Sequence, residues 1–220
     1  MANSATYIPT AEAAFIAGLS DRDMNRVIDE RIVPDSLFRS EKGRQFARLA
    51  AGFARFYFGT EGQFAASLRK QIVGELTRRV EHSRQKLSIF SMDNVAKDFD
   101  WTVTVPHARI DVSAFIHDAI ECVHQVEKAD SLVHIDSAIM NGMPVFWGTR
   151  VPIDTITASL DKGIDKERLI SSYPFLTDEH IEAARTYAKI HPKRGRPRRL
   201  SEVNPTWKVK TVRVVRATKA

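Results

Sequence analysis

The sequence predicts a mainly α-helical, α+β chain: two small helix-turn-helix modules joined by a helical region, a short β-hairpin and a basic C-terminal arm. Three observations predict it. Apolar residues recur at helical spacing through most of 1–192, cap and glycine signals break both ends of that span into short helices, and positive charge gathers in the last residues. The expected divisions are 1–40, a helix-turn-helix; 41–130, a helical linker and dimerisation region with a short strand; 131–192, a second helix-turn-helix domain; and 193–220, the arm.

In residues 7–38, Thr10 is expected to cap a helix carrying Ala13, Ala14 and Ile16, ended by Gly18. Ser20 caps the next, with Asp21 and Asp23 near its positive end and Met24, Val27 and Ile28 as its apolar stripe. The opposite face carries Arg22, Asn25 and Arg26, the candidate DNA-contacting residues of this module. Interleaved Asp21, Asp23, Asp29 and Glu30 weaken it as a phosphate-binding face, and a hairpin used only for packing is the competing reading. The stretch "TAEAAFIAGLSDRDMNRVIDERIVP" resembles the helix-turn-helix that opens MerR-type regulators.

Residues 43–86 read as two longer helices. Phe46, Leu49, Ala50, Phe53, Phe56 and Tyr57 recur on the first; Thr60 and Gln63 form an expected capping box ahead of Phe64, Leu68, Ile72, Leu76 and Val80 on the second. A phenylalanine stripe at this spacing reads as core or dimer contact rather than a cofactor site. The alternation of "WTVTVP" from Trp101 suggests a short strand, followed by an amphipathic helix from about Val112 to Lys128. His117, Glu121 and His124 share one face of that helix. Without a fourth group they read as a solvated face, so no metal is expected.

From Leu132 the signals become dense. Val133 to Ile135 and Val145 to Phe146 are strand candidates around an Asn141-Gly142 turn, with Pro144 restricting its strand to an edge. Pro152 opens a helix with Ile153, Ile156 and Leu160, and Gly163 lies beyond its end. Leu169 and Ile170 mark a second helix that stops before Tyr173-Pro174. Thr177 caps a third, "DEHIEAARTYAKI", with Ile181, Ala184, Tyr187 and Ala188 inward. On Gly142, Pro144, "GTRVP" (148–152), Gly163, "YPFLT" (173–177), Ile181 and Tyr187-Ala188, this segment resembles the domain-of-unknown-function family number 433, regarded as VapB-type antitoxin-like helix-turn-helix proteins. Met143 departs from the lysine common there. The resemblance implies an antitoxin paired with a PIN-like ribonuclease toxin, binding its own promoter DNA as a homodimer.

The net charge of +6 is uneven. Residues 193–220 hold ten Lys/Arg against one acid, Glu202, a net +9; the remaining 23 basic and 26 acidic residues leave −3. A basic arm on a mildly acidic body suits a polyanion or an acidic protein surface, though a merely solvated tail has the same composition. "RGRP" matches the core of the AT-hook, so Lys193, Arg194 and Arg196 are candidate DNA contacts in a narrow A·T minor groove. Arg198, Arg199, Trp207, Lys208, Lys210, Arg213 and Arg216 are candidate toxin contacts, and a β-arm folded back on its own domain is the competing reading of 207–220. No phosphate loop, nucleophile elbow or Cys–His–Asn set occurs, so an enzyme is not expected and no cofactor is implied. One cysteine, no apolar run approaching ~20 residues and no signal-peptide pattern point to a cytoplasmic protein without a membrane span.

Overall fold

Strand β1 (Tyr7–Pro9) runs directly into α1 (Thr10–Ala17) in the computed structural model, which describes residues 7–41 and 43–192. The expected Thr10 cap does not form: extended Pro9 holds the N-cap position and Thr10 is already helical. Gly18 ends α1 at φ 68°, a left-handed torsion that costs glycine nothing, and its N–H returns to Ala14 and Phe15. Ser20 does cap α2 (Asp21–Asp29); its hydroxyl oxygen accepts the Asp23 N–H at 3.1 Å. Met24 and Val27 are fully buried, with Ile28 packed beside them.

Next comes a feature unforeseen in the helical reading of 43–86. β2 (Phe38–Arg39) and β3 (Gln45–Ala47) form a hairpin, and β1 adds to its far edge, giving an antiparallel sheet ordered β1-β3-β2. Phe46 therefore lies on a strand, opposite Ile8 on one side and Phe38 on the other, and is completely buried. The partner strand that turns these residues away from a helix lies far off in sequence.

Helix α3 (Arg48–Gly59) is the central rod. Its residues 48–54 are all buried, the pattern of a helix surrounded by others, and it packs against both α1 and α6 (Ser113–Ser131). A Cβ on Gly52 would stand 2.9 Å from Ile116 Cδ1, so the missing side chain sets how closely α3 and α6 approach. Thr60 is not the start of a capping box. It terminates α3 and donates its hydroxyl proton to the Phe56 carbonyl at 2.8 Å, and α4 (Ala66–Glu81) begins without a side-chain cap. Short α5 (Lys86–Phe90) follows.

The expected strand near Trp101 is β4 (Thr102–Val105), which pairs with β5 (Ala108–Asp111) through a turn with His107 at φ 68°. Trp101 itself is buried; its Nε1–H donates to Ala96 O at 2.7 Å and its ring meets Phe53 edge-on. β6 (Val133–His134) and β7 (Val145–Phe146) form the third small hairpin. Asn141 and Gly142 take the left-handed torsions expected of them, but inside a longer connection spanning 135–144. Ile135 falls outside the strand.

Three helices close the described chain: α7 (Ile153–Asp161), α8 (Lys166–Ser172) and α9 (Asp178–Ile190). Thr177 caps α9 in a reciprocal box with His180. The fold is thus α+β and dominated by helices. One hydrophobic cluster runs from Ile8 to Val126 and takes in Ile190. A second, smaller cluster joins Phe146, Ile153, Ile156, Leu169, Leu176, Ile181 and Ala184. Among the described residues no helix is long and apolar enough to cross a membrane.

Candidate nucleic-acid and protein interface

The pairing of α1 with α2 through Gly18-Leu19-Ser20, followed by the β2–β3 hairpin, places Arg22, Asn25 and Arg26 on the outer side of α2. Arg22 is exposed; Asn25 and Arg26 are half-buried. Arg26 is held within its own helix, bonded to Glu30 at 2.7 Å and Asp23 at 3.1 Å, and its guanidinium lies 5.1 Å from the centre of the Phe58 ring. The hydrogen bond to Glu30, then that to Asp23, raises its already high pKa. The Ser20 hydroxyl, with Arg26, holds the Asp23 carboxyl below its ordinary range. Arg44 from the hairpin forks onto Asp29 at 2.7 Å and reaches the Asn25 carbonyl at 3.2 Å. Arg39 stacks over Tyr7 at 3.9 Å. Sequence reasoning passed over Arg39 and Arg44; the basic residues around "RSEKGR" were the available signal, but their placement beside α2 requires the hairpin. The face is charge-balanced, with Arg22 as the exposed cation nearest the start of α2.

The second module shows a comparable balance. Lys166 meets Asp178 at 2.7 Å, Lys128 of α6 meets Glu179 at 2.8 Å, and Arg185 meets Glu182 at 3.0 Å. The Lys128 ammonium keeps the Glu179 carboxyl below its usual range. The first turns of α9 are acidic, a poor match to phosphate. His117, Glu121 and His124 are engaged with protein: His117 approaches the Lys97 carbonyl at 3.4 Å and Glu121 pairs with Lys97 at 3.1 Å. Among the described residues no group of three His, Cys, Asp or Glu is placed to hold a metal ion.

The two modules meet along α9, which packs against α1 and α6, with Lys189 5.8 Å from the Phe15 ring centre. At this junction Arg48 of α3 is buried and bridges α6 to α1, at 2.6 Å from Glu127 and 3.5 Å from Glu12. Burial raises the Glu12 carboxyl despite the guanidinium beside it. Burial likewise raises Asp130, opposed by His191 and Arg48. The cluster joins three helices and reaches the residue two positions before the arm.

The remaining candidates, Lys193, Arg194, Arg196, Arg198, Arg199, Trp207, Lys208, Lys210, Arg213 and Arg216, lie outside the described residues. Comparison with known proteins places the second module first: residues 133–188 match the family described as "Protein of unknown function (DUF433)". The chain belongs to the same family as the "Uncharacterized protein y4eO" of Sinorhizobium fredii (strain NBRC 101917 / NGR234), with which it is 31% identical over 194 residues, 88% of this chain and 86% of that one. No solved structure matches it.

Proposed function

We propose that this protein is the antitoxin of a type II toxin–antitoxin pair, neutralising a PIN-like ribonuclease and binding its own promoter as an autorepressor. The observation that carries the reading is the order of the chain: the 133–188 module, which matches a family of unknown function and whose motifs we read as similar to those of VapB-type antitoxins, is followed from residue 193 by a segment of net +9. A PIN-like nuclease gathers carboxylates around a divalent cation, so its site attracts cations. An arginine can pair with such carboxylates through two parallel hydrogen bonds and take the metal's place. Phosphate contact falls to the same arm, because the body is net −3 and its helix-turn-helix faces are internally paired. "RGRP" at 194–197 is suited to a narrow A·T groove.

The test is co-expression with the neighbouring toxin of the full chain and of a chain ending at Leu200. The shortened chain is expected to lose growth rescue while keeping preference for the upstream DNA. Full rescue with an intact complex would overturn the assignment of toxin binding to 201–220. A DNA-binding regulator with no toxin is the second reading, favoured by the α1–turn–α2 unit with its adjoining hairpin and exposed Arg22. It becomes the better one if upstream DNA is bound and no toxin is captured.

A further inference from the structure

We propose that the cleft between the outer face of the β1-β3-β2 sheet and α5 is a binding site for a small organic phosphate, held by Arg39 and Lys86. This site is separate from the basic arm and does not rest on the antitoxin reading.

Strand pairing puts the sheet's contribution on one face. Ile8, Phe46 and Phe38 lie in register on the side packed against the core. Their neighbours along each strand point the other way, so Tyr7, Gln45 and Arg39 share the opposite face, with Arg39 directly across from Gln45. Ser36, on the short turn of helix Asp35–Leu37, and Lys86, Leu87 and Phe90 of α5 complete a cleft of about 590 Å³. The Tyr7 hydroxyl donates to the Ser36 carbonyl at 2.8 Å and ties sheet to turn.

Both cations of the cleft are held by rings. The Arg39 guanidinium lies 3.9 Å from the centre of the Tyr7 ring and the Lys86 ammonium 5.3 Å from that of Phe90. Among the described residues neither meets a carboxylate, in contrast to Arg26, Arg44 and Arg48. Stacking engages the face of a guanidinium and leaves its N–H edge free to fork onto two oxygens. No acid is among the described residues lining the cleft; Asp35 and Glu41, the nearest in sequence, are exposed and stand outside it. The Ser36 hydroxyl oxygen is buried and has no hydrogen-bond partner. An unpaired buried hydroxyl costs free energy, and an oxyanion in the cleft supplies the acceptor it lacks.

Charge and size select the ligand. Two positive charges with no acid between them match the dianion of a phosphate monoester better than the single charge of a carboxylate or a phosphodiester. The cleft is larger than a bare phosphate fills, and Leu87, 70% exposed, offers apolar surface to an organic part.

The experiment is an amide ¹H–¹⁵N NMR titration of the full chain at constant ionic strength. The probes are adenosine monophosphate, inorganic phosphate and a mixed-sequence DNA duplex. Adenosine monophosphate is expected to shift the amides of 36–39, 45 and 86–90 saturably, with half-saturation below ~5 mM, and to bind more tightly than inorganic phosphate. Arg39→Gln and Lys86→Gln should each weaken that binding by ~10-fold or more, as loss of a charge-assisted hydrogen bond does. Ser36→Ala should weaken it by ~3-fold or more while the melting temperature stays level or rises, because an unpaired buried hydroxyl is removed. A lower melting temperature with unchanged affinity would remove Ser36 from the site. Replacing Arg194 and Arg196 together with Ala should leave these shifts as they are, which separates the cleft from the arm. The proposal is overturned by no saturable shift at these amides with either phosphate, or by unchanged affinity in both the Arg39 and Lys86 variants. A duplex that shifts them where adenosine monophosphate does not would assign the phosphate to DNA and overturn the free ligand.

Discussion

Arg48→Met tests the account of the junction between helices. Arg48 is 4% exposed, and its loss strands two carboxylates unequally. The Glu127 side chain, 42% exposed, can turn to water; that of Glu12, 14% exposed, cannot. Removing one member of a buried pair costs ~3–5 kcal/mol, chiefly because the other charge stays buried uncompensated. For a chain of this length that corresponds to a melting temperature lower by ~6–20 °C. The pH dependence follows from the raised Glu12 carboxyl. Folded Glu12 keeps its proton to higher pH than unfolded Glu12, so its contribution to stability falls as pH rises above the ordinary value of 4.5. Without the guanidinium that partly opposes this shift, the window widens upward. Urea midpoints taken between pH 4 and 8 should therefore show the largest gap between variant and wild type at neutral pH, narrowing as Glu12 gains its proton. Adding Glu12→Leu to Arg48→Met should recover most of the loss, since it removes the less exposed of the carboxylates that faced the guanidinium. A neutral-pH difference under ~1 kcal/mol, or a gap independent of pH, would mean that Glu12 does not depend on Arg48 in the folded protein.

Two further predictions concern DNA. On the second reading, in which α2 meets DNA, Arg22→Ala should lower affinity for upstream DNA and reduce the dependence on log salt by about one unit, whereas Arg26→Ala, already paired with Asp23 and Glu30, should change it little; fluorescence anisotropy at several salt concentrations separates them, and a larger effect at Arg26 would count against the stated geometry. Replacing Arg194 and Arg196 together with Ala should weaken binding to A·T-rich sites much more than to G·C-rich ones; equal losses would reduce them to general phosphate contacts.

The features legible along the chain are local. Gly18 and Ser20 end one helix and begin the next because their backbone and side-chain chemistry acts within a few residues. The Thr177 cap, the stop before Pro174 and the periodic burial of Ile153, Ile156, Ile181 and Ala184 were legible for the same reason. The arm's charge needs only counting. Tertiary structure decided whatever depends on distant partners. Phe46 has a helical periodicity with Leu49, Ala50 and Phe53, yet it forms a strand because Ile8 and Phe38 pair on its two sides. Thr60 and Gln63 spell a cap, yet buried Thr60 serves the end of α3. Arg26 looks available in sequence and is engaged in space by Glu30, Asp23 and Phe58. Trp147 follows two buried residues and emerges at the surface because Val145 and Phe146 fill the core beneath the hairpin. Caps and helical stripes are written in neighbours along the chain; strand pairing, ion-pair commitment and exposure are set by contacts between segments far apart in sequence, which no local spacing encodes.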